Sequence, residues 1–369
     1  MPINASHEYF AAEKKFHLAQ TPVEKLKALE EMLKTAPSHK GAEVLRSELK
    51  QRLSKLRSQI EKQSQQKSKG YNISVKKEGS AQVAIVSITN AGKSLLLSKL
   101  TNAKPEIAEH EYTTRKIEMG VLDYEGIKIQ LIEIPAIHKD FAYKGRGPTY
   151  FSIIRNVDLI VIILDLTKDI EEQKKLIEEE FEKAQIKLNK EEPPIIINKN
   201  ASGGITILGK AHFEGSNEDI MKLLRDSGVH NAEIEFYEKA TIEDLTEALN
   251  DSIAYKTAIY VYNKTDLVKH KEGISAKTEE GLNTLQTRIW KKLGMIKVFT
   301  KMPGKKKNYP PVALDSGSSI RDMAAFVHKD FVKKFKFARI WGKSARFDGQ
   351  TQGLEHELKD DDVVELHLK

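Results

Sequence analysis

Two short segments hold residue types whose order and spacing suit phosphate and purine chemistry. The first, Ser87-Ile-Thr-Asn-Ala-Gly92-Lys93-Ser94, follows the apolar run VAIVSI and precedes the helical stretch SLLLSKL. A loop between a strand and a helix presents successive backbone N–H groups to an anion. Asn90, Ala91, Gly92, Lys93, Ser94 and Leu95 are therefore candidates to wrap phosphates. The Lys93 ammonium can reach the β and γ phosphates, and the Ser94 hydroxyl can ligate Mg²⁺. Ser87 stands where the pattern has glycine. The second segment, Asn263-Lys264-Thr265-Asp266, follows the apolar run AIYVY. Asp266 can accept from the N1–H and 2-amino groups of guanine, Asn263 can bond the base edge, and the Lys264 stem can cover the ring. Adenine offers no such donor pair. Ser275-Ala276-Lys277, just downstream, supplies a candidate final turn around the base.

Between these segments lie two candidate switches. Tyr112-Thr113-Thr114-Arg115 follows the phosphate-loop helix, and Thr114 is the candidate to complete a Mg²⁺ shell when a γ-phosphate is present. Glu133-Ile-Pro135-Ala136 occupies the place of a DxxG motif after the run IKIQLIEI, with Glu for Asp and Ala for Gly. Glu133 can face the metal through water, although its extra methylene moves the carboxylate by about one bond length. Ala136 keeps an N–H for the γ-phosphate but loses the freedom of glycine. No glutamine follows to orient water. His138 is an alternative base, without an orienting partner visible in the sequence.

These motifs need a scaffold that brings distant strand ends to one place. From Gln82 the chain alternates apolar strands and helices, which implies a mostly parallel sheet covered on both faces and an α/β nucleotide-binding architecture. Residues 185–250 interrupt that pattern with Pro193, Pro194, the Gly203-Gly204 turn and an amphipathic helix near Asp219–Leu224, and read as an inserted α+β subdomain. Upstream, Thr21-Pro22-Val23-Glu24 combines an N-cap, a first-turn proline and a capping-box glutamate. A second helix carries Leu45, Leu49, Leu53, Leu56 and Ile60, so residues 1–70 read as a helical hairpin that ends in the polar stretch 63–70. The nucleotide domain is then 71–296. Residues 297–369 start with a basic loop and continue as strand, capped helix and strand, a small α+β domain.

The composition narrows the class. With 369 residues, 40% hydrophobic and 31% charged, two or three units are expected. The longest apolar run, Leu159–Leu164, is far short of the ~20 residues that span a bilayer. No secretory signal is visible, so cytoplasmic residence is expected. The absence of cysteine excludes disulfides and thiolate sites, and the 11 histidines lack ligand spacing, so no zinc is expected. Residues 1–80 carry 16 Lys/Arg against 9 Asp/Glu, and 297–369 carry 15 against 10. Basic ends around an acidic middle suit a phosphate-rich partner such as RNA, with Lys305, Lys306 and Lys307 as the obvious run.

At these motifs the chain resembles the developmentally regulated (DRG) branch of the Obg GTP-binding proteins. Further likeness lies in Thr113-Thr114, the KGRG of Lys144–Gly147, GGI at Gly203–Ile205, the HNAEI from His230, and NKTDL. The end of the chain is similar to the TGS domain, a β-grasp module: VFTKMPG, then FVKKFKFARIWGKSARFDGQ, then DDDVVEL. The resemblance implies a P-loop GTPase domain with an inserted S5-like subdomain, an N-terminal helical arm and a C-terminal TGS domain. It also implies GTP/GDP binding, slow Mg²⁺-dependent hydrolysis, and association with ribosomes or a regulatory protein. Asn90 stands where some relatives hold a potassium ion. Because Ser87, Glu133 and Ala136 depart from the family pattern at the phosphates, two alternatives stay open: a nucleotide-binding scaffold with little turnover, and an RNA-binding module.

Overall fold

The computed structural model describes residues 6–19, 21–37, 42–67, 75–101, 106–108 and 117–368. In chain order the helices are α1 (His7–Leu18), α2 (Pro22–Thr35), α3 (Glu43–Lys67), α4 (Lys93–Leu100), α5 (Gly147–Asn156) and α6 (Ile170–Lys183). They continue with α7 (Asn217–Asp226), α8 (Ile242–Ala248), α9 (Leu282–Leu293), α10 (Ile320–Val327) and α11 (Lys329–Lys333). The strands begin with β1 (Ala81–Ser87), β2 (Glu106–Ala108), β3 (Ile117–Tyr124), β4 (Ile127–Glu133), β5 (Leu159–Asp165), β6 (Ile186–Leu188), β7 (Ile195–Lys199) and β8 (Ile205–Leu208). The remainder are β9 (Ala232–Phe236), β10 (Ala254–Lys256), β11 (Ala258–Asn263), β12 (Met295–Thr300), β13 (Val312–Asp315), β14 (Phe335–Trp341), β15 (Gln350–Gln352) and β16 (Val363–Leu368). They form two compact units: Met1–Asn72 with Asp140–Thr149 and Phe181–Tyr255, and Ile73–Lys139 with Tyr150–Glu180 and Lys256–Lys369.

In the first unit the Thr21 hydroxyl accepts from the Glu24 N–H while the Glu24 carboxylate accepts from the Thr21 N–H, so α2 starts where the sequence signals it. The N-terminal region has three helices rather than the expected two. Helix α1 adds Tyr9 and Ala12 to a core with Leu26, Leu29, Met32, Leu49 and Leu53. A second core forms where α7 and α8 cover the three-stranded sheet β7-β9-β8, with Ile220, Leu224, Ile234, Phe236 and Leu245 fully buried or nearly so. Helix α7 begins earlier than the sequence suggests, because Ser216 and Asp219 close a capping box around its first turn.

The second unit holds a six-stranded sheet in the order β11-β5-β1-β4-β3-β2. Strands β1 and β5 are buried along their whole length, as expected for central strands covered on both faces. Strands β11, β5, β1 and β4 are parallel, and the register sets Asn263 beside Asp165, Ser87 beside Ile163, and Ile85 beside Glu133. Four parallel strands therefore deliver Ser87, Glu133, Asp165 and Asn263 to one edge of the sheet, the carboxyl edge at which open α/β sheets bind ligands. The same unit contains a five-stranded sheet, β13-β12-β16-β14-β15, packed around Val298, Ile320, Met323, Ala338, Ile340 and Val364. Ser319 and Asp322 cap α10 as their spacing predicts.

Candidate functional site

The loop after β1 ends at Gly92, which has φ +93° and opens α4 without any side-chain cap. Among the described residues the first N–H groups of α4 therefore have no side-chain cap, which leaves them for an anion. Glycine is required at 92 on two counts. A Cβ there would lie 2.5 Å from the Asn263 side-chain nitrogen, and the left-handed conformation strains any other side chain. Asn90 is also left-handed, at φ +63°; its side chain is exposed and bonds no other described residue. Leu95 is exposed on the first turn of α4.

Lys93 is buried beneath this loop, with its ammonium 2.9 Å from the Ser87 hydroxyl oxygen. Burial lowers its pKa from the ordinary lysine value, against the opposing pull of Glu133. The Ser94 hydroxyl donates to Glu133 Oε1 at 2.8 Å, while Glu133 Oε2 is buried with no hydrogen-bond partner among the described residues. Burial raises the Glu133 pKa, opposed by the Ser94 bond and the Lys93 charge. A hydroxyl beside a carboxylate with one unsatisfied buried oxygen is a hard oxygen donor set of the kind Mg²⁺ takes. Beyond β4 the chain keeps pairing with β1: the N–H groups of Ile134 and Ile137 donate to Ile85 O and Ser87 O. Ala136 is thus held between two anchored residues. The His138 ring is exposed and lies 3.1 Å from Lys139 O. Thr114 and its neighbours are outside the described residues.

The base-side segment is bound tightly to the phosphate loop. The Asn263 amide donates to Ala91 O at 2.8 Å and its oxygen accepts from the Ala276 N–H at 3.1 Å. One amide N–H and one oxygen lone pair remain for a ligand. The Ser275 hydroxyl donates to Asp266 Oδ1 at 2.8 Å, and Asp266 itself stays exposed. Lys277 is exposed on the same loop. Lys264, at φ +76°, is clamped by an ion pair to Asp165 Oδ2 at 2.6 Å. The structure thus brings Asn90–Ser94, Glu133, Asn263–Asp266 and Ser275–Ala276 to one end of the sheet.

Sequence reasoning missed Asp165. It is fully buried, and its Oδ1 accepts from the Thr167 N–H and hydroxyl. Gln173 brackets its backbone from both sides. The available signal was an acidic residue that ends the apolar strand LIVIILD. Lys168 was missed as well; its ammonium donates to Thr89 O at 3.2 Å and ties the same loop to the phosphate loop.

A phosphate loop after β1 and an NKTD turn at the end of β11, two parallel strands that flank β5, define a P-loop guanine-nucleotide-binding protein. Residues 82–199 match the model of the 50S ribosome-binding GTPase family, 202–295 the C-terminal region of that domain, and 296–368 the TGS domain. An uncharacterized GTP-binding protein of Methanocaldococcus jannaschii is 34% identical, over 94% of this chain and 93% of its own. Ribosome-interacting GTPase 1 of Saccharomyces cerevisiae is 34% identical over 95% and 100%. Human developmentally-regulated GTP-binding protein 2 is 30% identical over 94% and 99%. The chain belongs to the developmentally regulated GTP-binding proteins, with a C-terminal TGS domain. Among the described residues no helix is long and apolar enough to cross a membrane.

Proposed function

We propose that this protein is a slow GTPase that reports its nucleotide state to the translation machinery in the cytoplasm. The observation that carries the reading is the pair of hydrogen bonds by which Asn263 donates to Ala91 O and accepts from the Ala276 N–H, which locks the base-side turns onto the phosphate loop. In this reading Asp266 accepts from guanine N1–H and its 2-amino group, and Lys264, oriented by Asp165, lies along the ring face. The N–H groups of residues 90–95 and the Lys93 ammonium take the phosphates, and the Ala136 N–H takes the γ-phosphate.

Ser94, and Glu133 through water, would hold Mg²⁺, with Thr114 as the candidate third protein contact. The metal's chemical contribution is to offset charge developing between the β and γ phosphates. Asn90, with its exposed side chain in the loop, is the candidate contact for K⁺. We assign hydrolysis to positioning and charge stabilisation of the transferring phosphoryl group.

A yeast relative is named as ribosome-interacting, and the family model over residues 82–199 is described as ribosome-binding. Both support a ribosomal or RNA partner, as do the basic ends of the chain. Lys305, Lys306 and Lys307 are all exposed, and the Lys307 ammonium sits 3.8 Å over the Phe299 ring. A regulatory protein partner fits the same reading.

The test is titration of the purified protein with fluorescent GDP and GTP in Mg²⁺ and K⁺, competed by ATP, then phosphate release on the same sample. Guanine-selective binding with release is expected. Selective binding without release would replace the switch by a nucleotide-stabilised scaffold, and no binding would overturn the reading and leave the RNA-binding module.

A further inference from the structure

Ser87 stands where a phosphate loop has glycine, and Glu133 stands where the switch has aspartate. The two departures meet at Lys93. The Ser87 side chain is fully buried, and its hydroxyl donates to Ile88 O at 2.6 Å. With its one proton committed there, the Ser87 oxygen faces the Lys93 ammonium purely as an acceptor, at 2.9 Å. Glycine at this position offers no such acceptor.

The competing acceptor is Glu133. Its carboxylate is longer than an aspartate by one methylene, about 1.5 Å of extra reach. One of its oxygens is already bonded to Ser94, and the other is buried and, among the described residues, unpartnered. An unsatisfied buried carboxylate oxygen next to a buried ammonium is a strong invitation to an ion pair. Among the described residues, however, Lys93 bonds Ser87 and forms no ion pair with Glu133. An ammonium drawn onto Glu133 is withdrawn from the place where the β-phosphate must meet it.

We infer that Ser87 is a positioning residue that keeps the Lys93 ammonium under the phosphate loop and out of an ion pair with Glu133, so that this chain tolerates glutamate at the switch. The inference rests on the guanine-nucleotide reading above. Ser87 touches no ligand; it acts through Lys93. Serine at 87 and glutamate at 133 then form a compensating pair, and each should be harmful only in the absence of the right residue at the other position.

The test is a double-mutant cycle on GDP affinity, measured with EDTA so that metal ligation by Glu133 does not contribute. Ser87→Ala should weaken GDP binding about tenfold, as expected for loss of one hydrogen bond to a charged group. In a Glu133→Asp background the same substitution should change affinity by less than about twofold, because the shorter carboxylate no longer captures the ammonium. Ser87→Gly, which restores the usual loop residue, should reproduce both results and guards against a folding defect peculiar to alanine. Equal losses in the two backgrounds would mean a general loop defect and would overturn the inference, as would no loss in either. Failure of the unmodified protein to bind GDP would instead sink the nucleotide reading itself.

Discussion

The Asn263 side-chain amide donates to the carbonyl of Ala91 at 2.8 Å, across 172 positions of sequence. With the Ala276 N–H on its oxygen, this one side chain joins the end of β11, the phosphate loop and the Ser275-Ala276-Lys277 turn. Asn263 is 2% exposed, so neither bond can be exchanged for water without opening the site. Replacing Asn263 by alanine orphans a buried carbonyl and a buried N–H at a cost of about 1–3 kcal/mol each. Asn263→Ala should lower the thermal midpoint of the nucleotide-free protein and abolish measurable GDP binding. Unchanged melting with reduced binding would mean that Asn263 serves only the base.

Gly92 faces the same side chain from the other direction. A methyl group there meets the Asn263 nitrogen at 2.5 Å in a backbone conformation at φ +93°. Left-handed geometry costs a non-glycine residue about 1–2 kcal/mol, and the contact adds to it. Gly92→Ala is expected to reduce GDP affinity at least about tenfold while circular dichroism still reports a folded chain. Retained affinity would show that the loop can open away from Asn263.

Such pairings explain which parts of the site are legible in the sequence. Phosphate loops and NKTD turns are local: strand, turn and helix are written in consecutive residues, so Lys93, Ser94, Asn263 and Asp266 can be named at once. The capping boxes at Thr21 and Ser319 are equally local and open α2 and α10. Asp165 is different. Its meaning comes from Lys264, 99 positions away, which β5–β11 pairing brings to its carboxylate. Helix α1 mixes apolar and charged residues, and which of its apolar side chains are buried is decided by packing against α2 and α3. Residues 140–149 follow the switch in sequence yet pack in the unit that holds α1–α3, which no local pattern announces. Ser87 reads as a defect in the loop until its distance to Lys93 is known.

The Asp165–Lys264 pair makes stability depend on pH in a defined direction. Burial raises the Asp165 pKa, but bonds from Lys264 and Thr167 outweigh it and leave the carboxyl below its ordinary value. A carboxyl with a lowered folded-state pKa stabilises the fold above its unfolded pKa, and that contribution is lost as pH falls through the folded value. The unfolding free-energy difference between the natural protein and Asp165→Asn should therefore be largest near neutrality and close progressively in acid. Denaturant titrations at about pH 7, 5 and 3, which run from well above the ordinary carboxylate range to just below it, check this. A difference that does not vary with pH would remove the ion pair from the account.

In the unit built by α1–α3, Tyr143 reaches into the helical core and its hydroxyl donates to Glu30 Oε1 at 3.0 Å. Arg57 holds the same carboxylate oxygen at 2.8 Å and also donates to Glu182 O. Burial pushes the Tyr143 phenol well above its usual pKa, so it stays a donor across the working pH range. Glu30 thus balances one cation and one neutral donor in a half-buried setting. Tyr143→Phe removes the hydroxyl that donates to Glu30 and also lies 3.4 Å from Lys183 O, and is expected to cost about 1 kcal/mol. Arg57→Ala leaves the carboxylate without its counter-charge and should cost more, about 2 kcal/mol, since stranding one partner of a buried pair is worse than losing a neutral bond. Because both side chains meet at one oxygen, their effects should not add: once Arg57 is gone, Glu30 depends on Tyr143, and the phenylalanine substitution becomes more damaging. Urea unfolding of the two single variants and the double variant measures the coupling. Strict additivity would mean that Glu30 reaches water whenever one partner is removed, and the network would then be an exposed ion pair of little consequence.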